Sequence, residues 1–570
     1  MKRLGLVVAI AATTLGLAAC NANPSSTGSS PTATSGPATK GGTMTILTSA
    51  TTVTLDPAKS QSLAITSLGL IARRLTTWDI QPGKPATVVP DLATTTGTAS
   101  DGGTTWTYTL KDGLKLSDGS AITSADIKYG VERSFAAELS GGLGYHKSLL
   151  VGGDTYKGPY SGKELSSIET PDAKTIVFHL KSAYGDWPWI VSMPAFTPVP
   201  KDKGTKPAEY GNDPVASGPY EVKSYKEGTS LVLDRNPNWA QDDIRTAGPD
   251  SIVFSLGQDD SVSAKRLIAD SGADKNSFGA SFVPPAQLAE ISSNVTAKQR
   301  LVTSDPGALA CLAMNTERGP LKNVKVRQAL NYAVDKKSYL LASGGEISGS
   351  YATTLITPGI PGRVEYDLYK SDPSGDVAKA KSLLSQAGYA NGFTATLLVQ
   401  NDATSLGQAQ AIQEVLKRVN VTVKLKPDDS NAFYTDVTAD KVSYDLTLGS
   451  WQPDFPSANG NIEPLFDSSQ IGGGAFNLSR YSNPAVDKLI ATATAETDQA
   501  KSQALWVQAD KKIMADAPVV PLIYTRNSFL HGSNVANFFV GASCRTGSAS
   551  PACSSATTWP SSSSSRTGSR

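Results

Sequence analysis

Along this chain the spacing of apolar positions shifts from a period of two toward a period near 3.6, and the shift divides it. Thr104-Thr105-Trp106-Thr107-Tyr108-Thr109-Leu110 alternates polar with large apolar side chains, which predicts a half-buried strand followed by an Asp112-Gly113 turn. Residues 175–180 and 229–234 carry the same alternation, so the N-terminal half is strand-rich. Further on, Val377, Ala380, Leu383, Leu384 and Ala387 recur at helical spacing behind the N-cap candidate Asp376, with Gly388 as the stop. Phe393 to Gln400 predicts a strand, and Ala409, Ile412, Val415, Leu416 and Val419 a helical face. A short strand is expected over Val421-Thr422-Val423-Lys424-Leu425. Two more helices are expected over 485–493 and from Asp498 to about Ala515, where Pro518 breaks the pattern. Strand and helix alternate here. That argues for βαβ units around a partly parallel sheet, with any ligand in a crevice at the strand ends.

Long loops are expected at 141–163, rich in Gly, and at 357–376, rich in Gly, Pro and Asp. From Gly541 the chain is Ser-rich and aperiodic, so residues 541–570, with Cys544 and Cys553, are assigned to a disordered tail whose composition hints at an altered reading frame. The span between about residues 43 and 540 exceeds what one hydrophobic core supports, so two or three domains are expected.

The first twenty residues have a different character. Lys2 and Arg3 precede an apolar stretch that ends in Leu17-Ala18-Ala19-Cys20, too short to span a bilayer and arranged as a secretory signal. It resembles a bacterial lipoprotein signal, in which Cys20 is lipidated and becomes the first residue after cleavage. Residues 1–19 are then the signal peptide. Residues 20–42, mostly Asn, Pro, Ser, Thr, Gly and Ala, are a disordered lipid-anchored linker with a reach of about 25 Å. The protein is thus expected on the extracellular face of the bacterial cytoplasmic membrane. No later apolar run approaches spanning length, so the body is expected to be soluble.

Net charge is +1, from 52 basic and 51 acidic residues, which leaves no footprint for nucleic acid. Three cysteines besides Cys20 are too few for a disulfide scaffold, and Cys311, inside Ala308-Leu309-Ala310-Cys311-Leu312-Ala313-Met314, is expected in the core. His146, His179 and His531 are scattered and form no zinc motif. Neither a nucleophile elbow, a dinucleotide fingerprint nor a phosphate loop occurs. The pairs Asp242-Asp243, Asp259-Asp260 and Asp428-Asp429 are adjacent, as in solvated turns, and the catalytic separation a glycosidase needs cannot be read from them. No enzyme, metal or cofactor is expected.

Several stretches together resemble one family, the extracellular solute-binding proteins of peptide-importing ABC transporters (family 5, the oligopeptide and dipeptide binders). They are Thr54-Leu55-Asp56-Pro57, Val89-Pro90-Asp91-Leu92-Ala93, and the most specific run, from Asp101-Gly102-Gly103 through Trp106 and Asp112-Gly113 to Ser117-Asp118-Gly119. Leu116 stands where the family usually has Phe. Ala216-Ser217-Gly218-Pro219-Tyr220, Asp234-Arg235-Asn236-Pro237-Asn238-Trp239 and Val324 to Asp335 follow in order, as do Ala387-Gly388-Tyr389 and Ala517-Pro518-Val519-Val520-Pro521-Leu522.

The resemblance implies an α/β, two-lobed periplasmic-binding-protein-like fold with a hinge and an extra α+β domain inserted in the first lobe. Lobe I would combine residues 43–80, 205–306 and 522–540; residues 81–204 would be the insert; residues 307–521 would be lobe II. The hinge would lie at crossings near 306–312 and 519–524. A solute captured by hinge closure would be handed to the permease subunits of an ABC importer, with the binding protein itself a monomer.

The same resemblance marks Gly449-Ser450-Trp451-Gln452-Pro453-Asp454-Phe455-Pro456 as the ligand block. Asp454 would pair the free amino terminus of a peptide, beside Trp451 and Gln452. Against this stands a structural role, Asp454 capping a turn and Trp451 packing in the core. Arg327 is read as a surface or structural-pair arginine, and Tyr444 and Tyr481 carry no assignment. Three alternatives stay open: a non-peptide solute such as an oligosaccharide or metal chelate, a secreted hydrolase, and a surface receptor or chaperone on the same fold.

Overall fold

The computed structural model describes residues 40–60, 67–240, 245, 247–541 and the backbone of 561–562. The signal segment with Cys20, most of the linker, and Cys544 and Cys553 lie outside them.

The first half is built on two sheets. In the five-stranded sheet the order is 277–279, 43–47, 251–255, 230–235, 220–226. Thr43–Leu47 runs parallel to both neighbours and the remaining pairs are antiparallel. The second sheet pairs 98–100, 105–109, 175–179 and 168–169, all antiparallel. The Thr-Trp-Thr-Tyr-Thr alternation is legible there: Trp106 stands opposite Phe178 and Tyr108 opposite Ile176, all buried, while the threonines between them face outward or sit half-buried. Phe178, Trp187 and Phe196 meet edge to face at ring separations of 5.4–5.8 Å. Met44 and Ile46 of the first sheet and Trp106 and Phe178 of the second belong to one continuous apolar core.

A buried ion cluster joins the segment 73–91 to the loop that precedes 251–255. Asp91, from the Val89-Pro90-Asp91 block, accepts from Arg73 Nε at 2.7 Å and from Arg245 Nη2 at 2.6 Å. Burial opposes its ionisation, yet Arg245 and Arg73 hold its carboxyl well below the usual carboxylate range.

The second half is a six-stranded sheet in the order 349–351, 519–525, 308–314, 446–451, 393–400, 421–428. Phe393–Gln400 and Val421–Asp428 are parallel over their whole length and joined by the helix Ala403–Lys417, the βαβ unit expected from the alternation. Successive side chains of Ala308–Met314 point to opposite faces. Ala310, Leu312 and Met314 enter a core closed by the helices Val324–Ala333, Val377–Gln386 and Ala403–Lys417. Leu309 and Ala313 enter another, closed by Asn459–Phe466, Pro484–Ala495 and Gln499–Asp516, with Cys311 half-buried against it.

Local signals hold well here. The Asp376 and Asp498 side chains accept from Lys379 N and Lys501 N as N-caps. Past the helix end at Gln386, Gly388 takes the left-handed conformation at φ +86°, and Tyr389 N donates back to Leu384 O at 2.8 Å.

Three sequence expectations shift. Residues 141–163 are not all loop, since Tyr145–Leu149 forms a short helix. Within the Ser-rich tail, Ser561–Ser562 pair with Val535–Ala536. The changeover expected between 521 and 522 falls later, because Val519–Thr525 stays whole in the six-stranded sheet. Pro521 lacks an N–H to donate, and a register shift between Ala310 and Cys311 accommodates it where it would otherwise interrupt the ladder. The chain then crosses at Arg526–Asn527, and Ser528–Leu530 pairs with Leu301–Thr303 in the first half. Ser304 and Asn527, on the two crossings, hydrogen-bond each other: Ser304 N to Asn527 O at 2.8 Å, and Asn527 N to Ser304 Oγ at 3.0 Å.

Candidate functional site

The strand Leu446–Trp451 lies inside the six-stranded sheet, antiparallel to 308–314 and parallel to 393–400. Its end releases the chain into the turn Gln452–Ser457 at the sheet's edge facing the first half, and the helix Asn459–Phe466 then turns it back. Pro453 and Pro456 both disfavour continuation of either regular element, which keeps this turn irregular.

Asp454 stands on the turn, half-buried, and its Oδ2 accepts from the Tyr145 hydroxyl at 2.6 Å. Tyr145 belongs to the first half. Next to it Phe455, 2% exposed, leaves its own half and packs into the first half's core, edge to face with Tyr145 at 5.8 Å. Trp451 is half-buried; its Nε1 donates to Gly460 O at 2.7 Å and its ring tilts on Phe476 at 5.2 Å. Trp451 therefore braces the turn against the helix that follows, and Gln452 is buried beside it. Behind Trp451 lies a small apolar recess lined by Cys311, Gly449, Phe476 and Leu478, in which burial pushes the Cys311 thiol up to about 12.

The halves also meet along Tyr184-Gly185-Asp186. Ser457 Oγ donates to Asp186 Oδ2 at 2.8 Å, and Asn459 Nδ2 to the Tyr184 hydroxyl at 3.2 Å. Gly185 N donates to Thr494 O at 2.7 Å. A Cβ at Gly185 would stand 1.9 Å from Glu496 O, so only glycine permits this approach. Burial pushes Asp186 up to about 6, and hydrogen bonds from Ser457 and Asn459 pull it back only part of the way. Burial likewise takes Glu463 up to about 7, with Asp467 adding to it.

Of the residues singled out in the sequence, Trp451, Gln452 and Asp454 lie together on one turn at the junction of the halves. Tyr444 and Tyr481 do not join them: Tyr444 is fully buried and donates to Leu478 O, and Tyr481 donates to Asp516. Arg327 is structural and largely buried, its guanidinium donating to Asp516 O and Leu321 O. Asp259 caps the helix that follows it through Val262 N, as a solvated turn aspartate does. Tyr145, Tyr184, Asp186 and Phe455 were not singled out. The one local hint was Phe455, a large apolar side chain between two prolines in an otherwise polar turn. The junction carries Asp454 on the second half, bonded to Tyr145, and Asp186 on the first, bonded to Ser457. What it offers is a carboxylate, aromatic walls and amide groups between two bodies, the means to hold a polar organic solute.

Comparison with known proteins gives a consistent result. Residues 87–473 match the family described as bacterial extracellular solute-binding proteins, family 5 middle. The glutathione-binding protein GsiB of Pectobacterium atrosepticum is 28% identical over 446 residues, covering 77% of this chain and 81% of that protein. Among solved structures, the clavulanic acid biosynthesis oligopeptide binding protein 2 is 33% identical with a TM-score of 0.80, covering 88% of this chain and 94% of the other. The periplasmic murein tripeptide binding protein MppA, in its unliganded open form, is 22% identical with a TM-score of 0.74 over 89% of this chain and 95% of the other, a likeness of fold.

Proposed function

Since the chain belongs to the bacterial extracellular solute-binding proteins of family 5, solute receptors of ABC importers and not enzymes, we propose that its solute is a short peptide. The peptide is held between the halves, with its free amino terminus on Asp454. The observation that carries this reading is the Asp454 carboxylate, set on the second half yet bonded to Tyr145 of the first. An ammonium entering there finds a negative partner within a partly desolvated junction, where an unpaired charge is costly. Trp451 and Gln452 border the same turn and give the ligand's first residues an apolar wall and an amide. Main-chain recognition of this kind tolerates varied side chains. The relatives named for glutathione and for oligopeptides support a ligand of that chemical class.

In this account lobe I is formed by 43–80, 205–306 and the return from Ser528 to 540, the insert by 81–204, and lobe II by 307–525. Closure of the lobes on the ligand creates the shape the permease accepts. Cys20 carries the lipid that keeps a monomeric receptor beside its permease on the outer face of the cytoplasmic membrane, and residues up to 42 serve as the leash.

Native mass spectrometry of the protein as first purified tests the ligand. A set of added masses that fragment as short peptides is expected, and a single sugar or metal chelate overturns the reading. For the anchor, Cys20→Ser is expected to move the protein from the membrane fraction to the medium; unchanged membrane retention sinks it.

A further inference from the structure

The junction holds a second carboxylate whose position differs from that of Asp454. Asp186 is 5% exposed and belongs to the first half, but part of its cover is Ser457 of the second half, whose hydroxyl it accepts at 2.8 Å. The adjacent Gly185 is pressed against Glu496 O and donates to Thr494 O at 2.7 Å, while Tyr184 accepts from Asn459. Three consecutive residues of one lobe are thus seated in the other by contacts that exist only while the lobes touch. We propose that Tyr184-Gly185-Asp186 is a cross-lobe latch whose engagement takes up a proton at Asp186, so that shutting of the lobes is favoured as the medium turns acid. This rests on the solute-receptor reading and adds to it a regulation of closure.

Burial, and no neighbouring charge, sets the direction at Asp186. Its own turn brings Tyr184, which Glu463 and Tyr145 face in turn, with Asp467 beside Glu463. The Tyr145 helix also carries His146 and Lys147, and Glu496 lies against Gly185. Among the described residues no salt bridge joins Asp186 to a cation. With the lobes shut, burial moves its carboxyl up to about 6. With the lobes apart, the cover supplied by the second lobe is lost and the carboxyl moves down toward its ordinary 3.8. The shut form then binds the proton more tightly than the open form, so acid favours shutting between about pH 6 and pH 4. Above pH 6 shutting must bury an ionised carboxylate. Across that window the shut-to-open ratio changes by about four- to fivefold per pH unit.

Single-molecule fluorescence transfer between dyes on the two lobes of the ligand-free full chain reads this ratio without any ligand. Between pH 7 and pH 5 we expect it to rise about tenfold in the native protein and less than twofold in Asp186→Asn. An unchanged native ratio, or an equal rise in Asp186→Asn, overturns the latch. Ser457→Ala, which removes one bond to the ionised form, is expected to move the midpoint to higher pH; a midpoint that stays put also overturns it. Glu463→Gln is expected to keep the response between pH 6 and pH 5, and its loss there would assign the proton elsewhere. Glutathione titrated in the same experiment separates the two ideas. If the pH response is intact and glutathione does not bind, the latch stands and glutathione is excluded as the ligand.

Discussion

The two lobes meet at one junction but present it with different kinds of structure. The first lobe offers Tyr184-Gly185-Asp186 at the start of the helix Trp187–Ile190, which is embedded among Phe178 and Phe196 in a core continuous with the large sheet. The second offers Gln452–Ser457, a proline-bounded turn released from the end of one strand and steadied by the Trp451 bond to Gly460. One side is an anvil and the other a finger. Groups that fix geometry therefore sit on the anvil, and the groups proposed to meet ligand sit on the finger, which Phe455 anchors in the first lobe's core.

If that contrast is right, damage to the core behind the anvil should be paid in stability, and damage to either touching face in affinity. Trp187→Ala should show the largest effect, a loss of about 3–5 kcal/mol in chemical denaturation, because it empties a fully buried aromatic site. A loss below about 1 kcal/mol would mean that the helix is not anchored as described. Gly185→Val should leave the denaturation midpoint nearly unchanged with the lobes apart but lower peptide affinity more than about a hundredfold, about 2.8 kcal/mol, since the side chain would strike Glu496 O. Native affinity in that variant would show that the lobes do not need this approach to shut. Asp454→Asn should weaken peptide binding by about ten- to a hundredfold, about 1.4–2.8 kcal/mol by calorimetry, with little change in thermal midpoint. Equal binding would return Asp454 to a turn-capping role.

The smallest expected effect concerns pH. Burial, helped by Lys147, pushes the His146 imidazole down to about 3, and its Nε2 meets Ser134 Oγ at 2.7 Å. The folded protein keeps this ring neutral while the unfolded chain protonates it below its ordinary 6.5, so stability falls as pH drops from about 6.5 toward 3. Between pH 7 and pH 5 the native protein should lose about 1–2 kcal/mol more than His146→Gln does. An identical slope in the two proteins would mean that the ring is reached by water.

Much of the second lobe was legible because its signals are local. Asp376 and Asp498 cap the helices they precede, Gly388 supplies the left-handed turn, and Phe393–Gln400 spans the residues its pattern marks. Trp451, Gln452 and Asp454 were legible only through resemblance, since nothing within a few residues of them says that they face another lobe. Tyr145 and Asp186 were not legible at all: their partners Asp454 and Ser457 lie 309 and 271 residues away. The register shift beside Pro521 was not legible either, since the strand it is set against, Ala308–Met314, lies about two hundred residues upstream.

The crossings between the lobes run without interruption into neighbouring central strands. Gly307 leads into Ala308–Met314, and Val519–Thr525 leads out through Arg526. Those two strands pair with each other, and the first carries the inner wall of two separate cores. Ser304 and Asn527 are thus tied directly to the middle of the sheet, whose six strands carry helices on both faces. The turn that carries Asp454 leaves that sheet at Trp451, opposite Leu309, so the carboxylate proposed to meet ligand stands at its pivot end.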